Sequence, residues 1–250
     1  MVFPFIGDID MSTIKLGQMQ TSNGKQSVEI ACNATKNGKL YANLCKDVRA
    51  PMPAKYQLDM VRDDSDGSRR GLIVCIDDPD VAAALKALDD LVVAAAVANC
   101  KEWFKKSALT ETEVRARYRP LLFKAQEEDD FSSTKFKVKC TKFPTKLHLQ
   151  KDDDTIVADG GRIEHLEDRG ALLAPIVSIF GLWFMGGGSS FGIGMQAEEM
   201  VVTPGKGTVA LSNFLSKRPL EVVRAAPELE GDEQEGKRVC TEEPVLVEGE

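Results

Sequence analysis

The chain is expected to fold as a mainly β protein with inserted helices, a small sheet-built domain followed by a polar tail. Three observations predict this. Short β-branched and apolar runs are separated by Gly, Asn and Pro turn signals, one long Ala- and Leu-rich segment lies between two groups of such runs, and the last stretch is dominated by Pro, Glu and Gly. With 250 residues and 43% hydrophobic content, one substantial core can be buried. The expected division is a folded domain over 1–224, carrying a helical segment at about 79–118, and a disordered acidic tail over 225–250.

Taken in order, Ser12 to Leu16 and Ser27 to Ala31 read as a hairpin around Ser22-Asn23-Gly24. Asn37-Gly38 turns the chain into a strand at Leu40 to Cys45. A further strand is expected at Tyr56 to Val61, after the extended Pro51-Met52-Pro53, and another at Gly71 to Ile76. Asp77-Asp78-Pro79 pairs an N-cap with a proline in the first turn and opens the longest helix, which runs to about Lys106. Val81, Leu85, Leu88, Leu91, Val92 and Ala95 give that helix one apolar face. Thr110-Glu111-Thr112-Glu113 has the form of a capping box and starts a second, short helix. From Phe131 onward Phe136, Val138 and Cys140 alternate with Lys135, Lys137 and Lys139, the period of a strand with one apolar and one cationic face. Ile156 to Ala158, Leu172 to Phe184 and Gly192 to Val202 complete the strands, the last two joined by a glycine-rich loop. Strands split by one long helix suit an oligonucleotide-binding-like β-barrel, although composition does not separate this from a β-sandwich.

Composition narrows the function. The acids between Glu228 and Glu250, against Lys237 and Arg238, carry a net −7, equal to the formal charge of the whole chain, so the body is neutral. Within the body Lys135, Lys137, Lys139, Lys142, Lys146 and Lys151 fall in a stretch free of Asp and Glu, a local basic face. Cys32, Cys45, Cys75, Cys100, Cys140 and Cys240 are far apart, which is the spacing of reduced thiols rather than of a zinc site. Asp152-Asp153-Asp154 and Glu127-Glu128-Asp129-Asp130 are consecutive carboxylates that face water more readily than they share a cation. His148 and His165 have no nucleophile elbow near them in sequence, and neither glycine cluster fits a phosphate-binding loop. No enzyme, metal or cofactor is therefore expected. With no signal peptide and no membrane span in sight, the location expected is intracellular, cytoplasmic or nuclear.

Two segments carry a family likeness. Ala174-Pro175-Ile176-Val177-Ser178-Ile179-Phe180-Gly181-Leu182-Trp183-Phe184, followed by Phe191-Gly192-Ile193-Gly194-Met195-Gln196-Ala197, resembles the C-terminal core motif of the single-stranded-DNA-binding proteins of nucleocytoplasmic large DNA viruses. That family in turn resembles the phage T7 single-stranded-DNA-binding protein. The resemblance implies a viral protein with an oligonucleotide-binding fold and an acidic tail, binding single-stranded DNA in replication, repair or recombination.

The residues themselves point the same way, because single strands are held by a basic groove and by rings on which bases stack. The expected DNA-binding residues are Lys135, Lys137, Lys139, Lys142, Phe143 and Lys146, with Phe136 as a further ring, and a second cluster of Arg115, Arg117 and Tyr118 beside Arg119 and Phe123. Trp183 joins them as a stacking candidate. On a strand it faces away from Phe184, so at most one of the two can stack, and core packing of both is the plainer expectation. Alternating lysines also serve simply to keep an exposed strand soluble. The tail acids Glu242, Glu243, Glu248 and Glu250 are expected to compete with DNA and to recruit replication proteins. Self-association into a homodimer stays open, and no membrane partner is expected. The alternative is a non-enzymatic β-rich structural or protein-interaction protein.

Overall fold

The computed structural model describes residues 3–32, 38–47, 52–53, 69–124, 132–140, 144–152, 154–166 and 170–205. The expected strand at Tyr56 to Val61 and the tail lie outside them. The first hairpin, β1 (Ile14–Ser22) and β2 (Lys25–Cys32), turns at Asn23-Gly24, both at positive φ, as the Asn-Gly signal requires. Next come β3 (Leu40–Asn43), β4 (Met52–Pro53) and β5 (Arg69–Ile76), then α1 (Pro79–Ala98), α2 (Cys100–Phe104) and α3 (Glu111–Arg115). The chain continues through β6 (Tyr118–Arg119), β7 (Ser132–Lys139), β8 (Lys146–Gln150), β9 (Ile156–Val157), β10 (Leu172–Met185) and β11 (Ser190–Thr203). The fold is mainly β with few helices, as expected, and its sheet is mixed.

The expected long helix divides in two. Asp78 caps α1 by accepting from the Asp80 and Val81 amides, and the helix stops at Asn99, whose backbone N–H still reaches Ala95 O. The short α2 then ends on Lys105, which takes a left-handed conformation. The capping box of α3 forms as read: Thr110 Oγ1 accepts from the Glu113 amide, and Glu113 Oε2 accepts from the Thr110 amide.

β10 and β11 form the axis of the sheet, a hairpin of two 14-residue strands. Its tip, Gly186-Gly187-Gly188, holds three successive positive φ angles that only glycine adopts freely, and Gly188 N–H closes the turn on Met185 O. Along its free edge β10 pairs antiparallel with β2, β3 and β4 in succession. Pro175 falls in the gap between β3 and β4. Its carbonyl accepts from Leu44 N–H on that side, so its missing N–H interrupts no ladder bond there. β11 pairs in parallel with β6, β7 and β8 along its other edge. β7 carries β5 outward, and β5 lies alongside β4, so the sheet curls back towards its own other edge.

One side of this curled sheet, together with α1, encloses the core. Val28, Ile30, Leu40, Leu72, Phe136, Val138, Val177, Ile179, Leu182, Phe191 and Met200 meet Val81, Leu85, Leu88 and Val92 of the helix. At the hairpin end an aromatic cluster packs edge to face. Phe104 stands 5.1 Å from Phe191 and 6.0 Å from Phe184, Trp103 stands 5.8 Å from Phe184, and Phe184 lies parallel to Phe191 at 5.5 Å. Phe136, expected as a stacking ring, is part of the core because β7 turns its even positions inward.

Candidate nucleic-acid interface

The face of the β10–β11 hairpin that points away from the core is built by a bulge. In the register, Ile179 opposes Met195 and Gly181 opposes Gly194, which leaves Phe180 as an extra residue on β10. Strict alternation would place Phe180 with Leu182 and Phe184 inside. The inserted residue instead brings Phe180 onto the side of Trp183, where it is 50% exposed, while Leu182 and Phe184 stay buried.

The floor beneath these two rings is glycine. A Cβ on Gly192 would stand 2.8 Å from Trp183 Cζ2, and one on Gly194 would stand 2.6 Å from Phe180 Cζ, distances no side chain tolerates. Both rings therefore lie against bare backbone. The Trp183 indole N–H donates to Ile193 O at 3.3 Å, which fixes the ring across its glycine. The Phe-Gly-Ile-Gly pattern thus has a local reason: Phe191 and Ile193 fill the core, while Gly192 and Gly194 make room on the opposite face. Tyr41, half-buried and 5.4 Å from the ring of Phe3, extends the row of rings, since its register partner Ser178 shares the outer face.

Cations flank one side of the rings. Arg119, exposed on β6, is the register partner of Gly192, and its Nε donates to Ser190 Oγ at 3.3 Å. Lys137, half-buried, is the register partner of Gln196 on one side and of Gly71 on the other. The exposed Lys135 side chain lies over Gly71, and Lys139 follows, half-buried, opposite Arg69. The other side is mixed: the exposed Glu29 of β2 opposes Gly181, and the exposed Lys15 and Lys39 both pair with Ala31 two residues further on. Glu198, the extra residue of a second bulge on β11, accepts from Ser178 Oγ at 2.6 Å and Gln196 Nε2 at 2.9 Å.

The expected site residues divide accordingly. Lys135, Lys137, Lys139 and Trp183 share the outer face, and Trp183 is half-buried there rather than wholly in the core. Lys146 is exposed but belongs to a separate part of the sheet, in register with Glu199. Arg115 is exposed on α3 and paired with Glu111 and Asp90, both at 2.8 Å. Arg117 lies over the Phe104 ring, 5.9 Å from its centroid. Tyr118 is a correction: its ring is buried against Phe191 at 5.1 Å, and its hydroxyl donates to Asp89 at 2.6 Å, so no base can stack on it. Lys142, Phe143, Glu242, Glu243, Glu248 and Glu250 lie outside the described residues. Sequence reasoning missed Phe180, whose orientation depends on the bulge, and Tyr41. It noted Arg119 without giving it a role.

His148 does not face a nucleophile. Its Nδ1 accepts from the Asp159 amide at 3.1 Å, so Nε2 carries the proton donated to Glu199 at 2.8 Å. Among the described residues no group of three His, Cys, Asp or Glu side chains could hold a metal ion, and no helix is long and apolar enough to cross a membrane.

No family model and no curated protein matches this sequence. Among solved structures, the chain is similar to the single-stranded-DNA-binding protein from bacteriophage Enc34 in a C-terminally truncated form. The identity is 9% and the TM-score 0.40, over 77% of this chain and 96% of that one. It is also similar to the same phage protein in complex with single-stranded DNA, at 8% identity and TM-score 0.39 over 77% and 97%. The single-stranded-DNA-binding protein encoded by bacteriophage T7 aligns at 14% identity and TM-score 0.36, over 75% of this chain and all of that one.

Proposed function

We propose that this chain binds single-stranded DNA with little sequence preference, across the outer face of the β10–β11 hairpin. The observation that carries the reading is the pair of rings, Phe180 and Trp183, laid on Gly194 and Gly192 and bordered by Arg119, Lys135 and Lys137. Every base has a face that can stack, so rings give affinity without sequence, at about 1–3 kcal/mol per base. In this reading phosphates run along the β6–β7 side, where Arg119, Lys135 and Lys137 stand, and bases turn towards β10. A duplex keeps its bases stacked inside and offers the rings nothing.

Sequence-tolerant cover of single strands suits replication, repair and recombination. In this reading the acids of 228–250, among them Glu242, Glu243, Glu248 and Glu250, compete with DNA for the cationic side and engage replication proteins when displaced. Removing 228–250 is expected to tighten binding at low salt, and an unchanged or weaker affinity would contradict a competing tail.

The test of the main reading is a fluorescence-anisotropy titration of the full chain with labelled oligothymidylate of about 30 nucleotides, long enough for the usual site sizes. Binding should weaken as salt rises and should exceed binding to duplex of equal length. No binding at low salt, with or without the tail, would favour a protein-interaction role.

A further inference from the structure

We infer that Asp89, on the buried face of α1, is a positioning residue for DNA binding, the anchor that holds Arg119 on the outer face; the inference rests on the function proposed above.

β6 is too short to hold itself. Tyr118 and Arg119 are its register partners on β11, Arg117 O accepts from Phe191 N–H at 3.1 Å, and Pro120 follows with no N–H to give. Asp89 clasps both sides of that Arg119-Pro120 pair. Its carboxylate accepts from the Tyr118 hydroxyl at 2.6 Å, and from the Leu121 amide at 3.0 Å and 3.2 Å through its two oxygens. With Tyr118 drawn inward against Phe191, the next residue must turn outward, and that residue is Arg119, beside Gly192 and the Trp183 ring.

A carboxylate is a costly choice at this position. Asp89 is 6% exposed, on the helix face that also buries Leu85, Leu88 and Val92. A buried charge is tolerated only where it is bonded, and an apolar pair at 89 and 118 would fill the same space without desolvating one. The neighbouring Asp90 follows the ordinary course, half-buried and paired with Lys86 and Arg115. What the Asp89 carboxylate supplies, and an apolar side chain cannot, is two acceptors aimed at residues 118 and 121. They fix the backbone that carries Arg119 beside the Trp183 ring.

The experiment compares Asp89→Asn, Tyr118→Phe and Arg119→Ala in the full chain, by anisotropy titration with the same oligothymidylate across a salt series, at a pH above the titration of Asp89. Arg119→Ala should lower the slope of log K against log salt by about 0.7, the increment for one phosphate contact on a single strand. Asp89→Asn and Tyr118→Phe should reproduce most of that drop and add little in an Arg119→Ala background. A wild-type slope in both variants, or losses that add to those of Arg119→Ala, overturns the inference even if unfolding shows a lower stability. Should Asp89→Asn fail to fold, Tyr118→Phe carries the test, since it keeps the carboxylate and the core ring. Absence of binding by the unmodified chain refutes the proposed function and this inference together, whereas binding with unaltered variants refutes this inference alone.

Discussion

The two faces of the β10–β11 hairpin present the same side-chain chemistry in opposite settings. Inside, Phe184 and Phe191 stack on one another and are hemmed in by Trp103, Phe104 and Tyr118. Outside, Phe180 and Trp183 rest on glycines with their upper surfaces open. The inner rings are held by neighbours of their own size, and the outer rings by the absence of side chains below them. Aromatic content alone therefore does not distinguish a core from a binding platform. What distinguishes them is the residue opposite in the register: Phe191 opposite Phe184, Gly192 opposite Trp183.

The largest effect expected is on the inner face. Phe191→Ala should cost about 3–5 kcal/mol of stability, the range for emptying an aromatic site in a packed core, as read by chemical denaturation. Phe180→Ala should leave stability within about 1 kcal/mol, since half of its ring is already in water. Equal losses at both positions would erase the distinction between the faces.

Binding should answer in reverse order. Phe180→Ala and Trp183→Ala are each expected to weaken oligothymidylate binding by about 1–3 kcal/mol. Gly194→Val should match Phe180→Ala without touching a ring-forming residue, because the new side chain would occupy the place of the Phe180 ring. Retained affinity in Gly194→Val would mean that the seating of that ring is immaterial.

A smaller effect separates the anchor beneath Arg119 from ordinary carboxylates. Burial pushes the Asp89 carboxyl up to about 6, against the opposing pull of the Tyr118 and Leu121 hydrogen bonds. Its folded value thus lies above the unfolded one, so the folded chain binds this proton more tightly. Its contribution rises as pH falls through 6 towards 4 and is lost as pH rises again. Relative to Asp89→Asn, the unmodified chain should therefore gain stability as pH falls through that window, by at most about 1.4 kcal/mol per pH unit. A flat or opposite difference in denaturation midpoints would contradict a buried Asp89 with a raised pKa.

Much of the fold was legible because its signals are local. The Asn-Gly turn, the Asp78-Pro79 helix start, the Thr110 capping box and the two long strands are each written in neighbouring residues. β6 and β8 were not legible, since β6 exists by parallel pairing with a strand far along the chain and β8 relies on the same strand beside the two-residue β9. The site was half legible for the same reason. Alternation placed Lys135, Lys137 and Lys139 on one face, but alternation alone would set Phe180 on the wrong side, because one inserted residue inverts the parity of everything before it. Tyr118 looked available beside three arginines, and its buried partner Asp89 stands 29 positions away.

Photo-crosslinking with oligothymidylate carrying 5-iodouracil, followed by mass spectrometry of the adducts, tests the central claim most directly. Adducts are expected at Phe180 and Trp183, with Tyr41 next in line, and none at Phe184, Phe191 or Tyr118. Adducts confined to other surfaces, with the 180–183 peptide unmodified, would contradict it.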